Sequence, residues 1–171
     1  MSHKYQSAVL SVKGSIRVGG RYNPPGEFGV LYTADSMLTA LCEVGALFFD
    51  GGGNLASAPR DPELHLTLRC RLSRVLDLRE ASLHLLLGTS SEELTSYSPA
   101  HLIANGRGQV TPTQLLGRMC FDSGRFSALI APSAANPGGF NVDIFPERLG
   151  IGEAVSVFDT QGTIQESIIG R

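Results

Sequence analysis

Between Leu64 and Leu72 the chain alternates strictly. Leu64, Leu66, Leu68, Cys70 and Leu72 fall on one side, and His65, Thr67, Arg69 and Arg71 on the other. A period of two requires a strand with one buried face, the signature of antiparallel or mixed sheet. Glycine and proline point the same way. The 20 Gly and 9 Pro among 171 residues exceed the roughly 12% of average proteins, so many turns separate short elements and a helical bundle is disfavoured.

Other elements follow from local signals. Pro25-Gly26 suits the centre of a type II turn, and Val30 to Thr33 reads as a short strand. Asp35 is placed to cap a helix running to Phe49, with Met37, Leu38, Leu41, Val44, Leu47 and Phe48 as its apolar stripe and Glu43 on the flank. Asp50 to Pro62 reads as a mobile loop, and Val75 to Leu78 as a continuation of the alternating strand after a kink. Ala81 to Gly108 divides into short helices, with a capping box at Ser90 and Glu93 and another start at Ser98-Pro99. Thr111-Pro112-Thr113-Gln114 is a stronger helix start, carrying a Thr cap, Pro at the first position and Gln to close the box, for a helix to about Asp122. Strands are expected at 127–131, 140–145 and 154–158, the last turning through Asp159 to Gly162 into a partner. The expectation is one α+β domain over residues 1–171, with mixed and antiparallel sheets and short helices.

Charge and motifs narrow the function. The net charge of −2 lacks the basic excess of a nucleic-acid binder. No apolar run approaches the roughly 18 residues of a membrane span, and the start carries no export signal, so a cytoplasmic location is expected. Three cysteines at 42, 70 and 120 read as reduced packing residues. The histidines at 3, 65, 84 and 101 have no partner at metal-ligand spacing, Gly14 to Gly20 lacks a phosphate-loop lysine, and Ser133 lies outside any G-x-S-x-G elbow.

What remains is a set of polar residues in unusual company. Arg21 sits in a loop stiffened by Gly and Pro, where a fixed guanidinium suits a phosphate oxygen pair. Tyr32 ends a short apolar strand and offers a ring for stacking. Glu43 faces neither core nor open solvent, and Ser133 closes a very apolar strand. Each also has an ordinary structural reading: Arg21 paired with a surface acid, Tyr32 in the core, Glu43 in a helix–loop contact, Ser133 capping a turn.

Taken together, Gly19-Gly20-Arg21-Tyr22-Asn23-Pro24-Pro25-Gly26, Val30-Leu31-Tyr32-Thr33-Ala34, Ala40-Leu41-Cys42-Glu43-Val44 and Ala131-Pro132-Ser133-Ala134 closely resemble the RES-domain family, in order and in spacing. The approach to Ser133 and the later Asn141 are similar to that family too, so the resemblance spans roughly residues 19–146. The family usually has Trp where this chain has Tyr22.

The resemblance implies a fold like that of the ADP-ribosyltransferase toxins. It implies the toxin half of a toxin–antitoxin pair, held inactive by a cognate Xre-like helix-turn-helix antitoxin. NAD would be the substrate, with no metal, no direct nucleic-acid contact and no membrane; oligomeric state is left open. The reaction implied is cleavage of the nicotinamide–ribose bond by phosphorolysis or hydrolysis. Transfer of ADP-ribose to a protein, or a degenerate member that only binds NAD or a partner, are the alternatives. Carried onto this chain, Arg21 and Ser133 would meet the phosphates and ribose, Tyr32 the nicotinamide ring, Glu43 would be catalytic, and Asn141 a further pocket contact. One carboxylate is chemically sufficient, because nicotinamide leaves as a neutral molecule and needs no acid, unlike an alkoxide leaving group.

Overall fold

The computed structural model describes residues 8–59, 64–96 and 100–171. In chain order it contains α1 (Lys13–Val18), β1 (Leu31–Ala34), α2 (Met37–Glu43), β2 (Leu47–Phe49), β3 (Leu55–Ser57), β4 (Leu68–Arg71), β5 (Val75–Asp77) and α3 (Ala81–Leu87). Then come α4 (Ser91–Thr95), α5 (Ala100–Gly106), α6 (Pro112–Asp122), β6 (Ala128–Pro132), β7 (Phe140–Ile144), β8 (Ala154–Val157) and β9 (Ser167–Ile169).

A four-stranded sheet, ordered β1-β7-β6-β5, forms the centre. Its β5–β6 pair is parallel and the others antiparallel, so the sheet is mixed. One face packs against α4 and α6 through Phe28, Leu94, Leu116, Phe121, Leu129 and Phe145. The Phe28 and Phe121 rings stack at 4.2 Å, with Phe145 edge-on to both. The other face packs, through Ala128 and Ile144, against Val155 of a three-stranded antiparallel sheet, β4-β8-β9. The domain is α+β, as the alternation and turn density require.

Glu153 ties the two sheets together. It is 1% exposed, accepts from the backbone N–H groups of Ser73, Arg74 and Gly150 and from the Ser127 hydroxyl, and pairs with the Arg74 guanidinium. Burial alone would raise its pKa, but these donors outweigh it and hold the carboxyl well below the usual range.

Ser36, not Asp35, caps α2, its hydroxyl accepting from the Thr39 N–H; Asp35 instead donates its own N–H to Phe140 at the end of the sheet. The helix stops at Glu43 rather than Phe49. Leu47–Phe49 pairs with Leu55–Ser57 as a hairpin around an Asp50 turn, whose carboxylate accepts from Gly52 and Asn54. The expected loop from Asp50 onward therefore contains a strand.

The alternating segment forms ladder bonds only over Leu68–Arg71, the length that β8 offers. Val75–Asp77 does not continue it but crosses into the central sheet. Cys42 and Cys120 are buried, whereas Cys70 on the edge strand β4 is exposed; all three are free thiols. The start at Ser98-Pro99 lies outside the described residues. The capping box at Thr111 forms in full, with reciprocal bonds to Gln114. No helix among the described residues is long and apolar enough to cross a membrane.

Candidate active site

The loop from Gly19 to Gly26 is held from three sides. Gln114, fully buried, uses its side-chain oxygen for the capping box and donates its amide to the carbonyls of Gly20 and Asn23 and to Asn105. Asn23, also fully buried, donates to the carbonyls of Ser15 and Phe28. Its Oδ1 accepts the Tyr32 hydroxyl at 2.8 Å, and that hydroxyl in turn accepts the Tyr22 backbone N–H. Gly20 lies flat against the Tyr32 ring, where a Cβ would fall 2.4 Å from the phenol oxygen. Local stiffness expected from Pro and Gly is thus completed by distant amides.

Arg21 projects from this loop onto the C-terminal end of α4. Its guanidinium donates to the carbonyls of Glu93, Leu94 and Ser96. A positive charge on the open carbonyls of a helix end is favourable. Nε–H and the second Nη1–H have no acceptor among the described residues. The Tyr22 hydroxyl lies close to this guanidinium, whose charge bears on its ionisation.

Glu43 ends α2. A negative charge there opposes the helix dipole, and two donors compensate. Ser133 donates its hydroxyl to Oε1 at 2.6 Å, and Asn141 on β7 donates its amide to the same oxygen at 2.8 Å. Ser133, only 4% exposed, is itself fixed by the N–H groups of Ala135 and Asn136. It is both a turn cap and a support for Glu43. Oε2 has no hydrogen-bond partner among the described residues.

Tyr32 is 41% exposed although its hydroxyl is engaged inside. Burial, reinforced by the Asp143 carboxyl, holds the phenol well above its usual range, so it stays a neutral donor. The ring face is what remains open.

Arg21, Tyr32, Glu43 and Asn141 line one cavity of about 590 Å³. That volume suits a cofactor-sized molecule. Ser133 is absent from its lining and lies behind Glu43. A carboxylate, a partly free guanidinium and an open aromatic face in one cavity can together take a ligand that carries anionic groups, a flat ring and a centre of developing positive charge between them.

Three lining groups were not singled out in the sequence. Ser15 on α1 brings the segment before Gly19 into the wall. His101 on α5 lies there too; burial first, and the Arg21 charge second, push its pKa below the usual histidine value. Asp143 on β7 is 1% exposed and lines the cavity floor. Its alternation with Val142 and Ile144 resembles that of an ordinary solvent-facing polar residue, so nothing local marked it. No group of three metal-ligating side chains occurs among the described residues.

Compared with known proteins, residues 2–163 match the family model described as the RES domain. No curated protein matches the chain.

Proposed function

This chain belongs to the RES-domain family, a family associated with NAD-acting toxins of toxin–antitoxin systems, and from that premise we propose that it is a toxin enzyme that cleaves the nicotinamide–ribose bond of NAD. The observation that carries the reading is the shared cavity: Glu43, held on Oε1 by Ser133 and Asn141, faces the same space as the anchored Arg21 and the open face of Tyr32.

In this reading Arg21 offers its remaining N–H donors to the pyrophosphate, and Tyr32 stacks on the nicotinamide ring. The C1′–N bond breaks, its electron pair goes to the ring nitrogen, and nicotinamide departs neutral. Glu43 stabilises the positive charge left on the ribose. Oxygen of water or phosphate then bonds to C1′ and releases its proton to solvent. Binding energy from the distant pyrophosphate aids the reacting centre by fixing the ribose over the carboxylate. No step calls on a metal. The family context also supports an antitoxin partner, proposed here as an Xre-like helix-turn-helix protein.

Incubating the purified, antitoxin-free protein with NAD and following free nicotinamide tests the reading. Release well above that of Glu43→Gln is expected; equal release by the two would defeat it. The ribosyl product separates the acceptors: ADP-ribose for water, its 1-phosphate for phosphate, and a labelled protein band for transfer to a side chain.

A further inference from the structure

Asp143 is an anomaly in the central sheet. It sits mid-strand on β7, flanked by Tyr32 of β1 on one side and Leu129 of β6 on the other. It is 1% exposed, and its Oδ1 has no hydrogen-bond partner although sealed from solvent. Tyr22, also 1% exposed, has an unpartnered hydroxyl, close enough that the Asp143 charge bears on its ionisation. Leaving such a group bare costs stability. Buried polar atoms are nearly always paired; Oδ1 and the Tyr22 hydroxyl lie sealed beneath the cavity, while Asp143 as a whole belongs to its lining.

Resting on the NAD reading above, we propose that Asp143 is the residue that recognises the carboxamide of the nicotinamide ring, and that it makes the site select an amide over the corresponding carboxylate. Tyr32 and Asp143 are register partners on the same face, so a ring stacked on the open face of Tyr32 brings its edge substituent to Asp143. Burial first, and the Glu43 charge second, raise the Asp143 pKa well above the usual carboxyl range, while Arg21 opposes them. A neutral carboxyl both donates and accepts. A primary amide does the same, so whichever role the carboxyl oxygen at the cavity takes, the amide can complement it. A nicotinate carboxylate would instead bring a second negative charge into a desolvated place that Glu43 already faces.

The test uses the free ring compounds as probes, by ligand-observed NMR titration, alongside turnover of NAD and of its nicotinic acid analogue. Wild type should bind nicotinamide at least about tenfold more tightly than nicotinate, as expected where a buried polar group is left unpaired by the wrong ligand. Asp143→Asn, which keeps a donor and an acceptor, should retain that preference. Asp143→Leu should lose it while remaining folded by circular dichroism. Equal binding of both probes to wild type, or an unchanged ratio in Asp143→Leu, overturns the assignment. Selection of nicotinamide without NAD cleavage keeps the assignment and sinks the NAD-cleaving reading; cleavage with no selection does the reverse.

Discussion

The Ser133 hydroxyl donates to Oε1 of Glu43 across 90 residues of sequence, at 2.6 Å. That bond fixes a carboxylate at a helix end that would otherwise repel it. Ser133→Ala removes this donor and also the acceptor for two backbone N–H groups, so about 1–3 kcal/mol of stability should be lost. Glu43→Gln keeps an acceptor for both Ser133 and Asn141. It should melt near wild type while nicotinamide release falls by about 10²–10³-fold, the scale of a lost electrostatic stabiliser. Thermal melts and nicotinamide assays on the two variants separate support from chemistry.

Arg21 has two duties, and its removal should register in both. Arg21→Ala should weaken NAD binding by about 1.5–3 kcal/mol, the worth of a charge-assisted hydrogen bond. It should also lower the melting temperature, because α4 loses the donors on its last carbonyls. Titration calorimetry with the Glu43→Gln background, which spares the ligand, measures the first effect. An unchanged dissociation constant removes Arg21 from the site.

Gly20 and Gly26 make a controlled pair. A Cβ on Gly20 collides with the Tyr32 ring, while Gly26 has open space but a φ of +84°. Gly20→Ala should cost about 1–3 kcal/mol through overpacking, and Gly26→Ala about 1–2 kcal/mol through backbone conformation. Only Gly20→Ala should also weaken NAD binding, since it alone displaces the ring. Equal binding by both variants would detach Tyr32 from the ligand.

Asp143 should make stability fall as pH rises. Its folded pKa lies above the unfolded one, so the folded state holds the extra proton. Its favourable contribution is full below the unfolded carboxyl pKa near 4 and is lost as pH climbs through the raised value. Asp143→Asn has no such loss. Its stability relative to wild type should therefore increase from pH 4 to pH 8 in urea unfolding; a flat difference rules the buried neutral acid out.

Glu153 behaves in the opposite sense. Its folded pKa is depressed, so its contribution is present above the unfolded value near 4.3 and disappears as pH falls towards the folded one. Glu153→Gln should cost about 1–3 kcal/mol at pH 7, because the amide nitrogen of Gln faces donors that the carboxylate accepted from. The gap to wild type should narrow on acidification below about pH 5. Urea denaturation at pH 7 and pH 3 reads both values.

Whatever closes over a few residues was readable from the amino-acid order alone. The Thr111–Gln114 box, the antiparallel return after Asp159 (whose strand begins only at Ser167) and the alternation of strands were legible because their hydrogen bonds or side-chain periods are local. So was the family, carried by short motifs in a fixed order. Where α2 stops depends on the packed fold, in which Leu47–Phe49 pairs with β3 instead of adding another helical turn. The same packing makes Gln114 clamp the Gly19–Gly26 loop, has Ser133 serve Glu43 from behind, and seals Asp143 inside the sheet. Alternation says which side of a strand a residue takes, not whether that side is covered. Covering is settled by elements far away in the chain, whose packing brings the side chains of the cavity together.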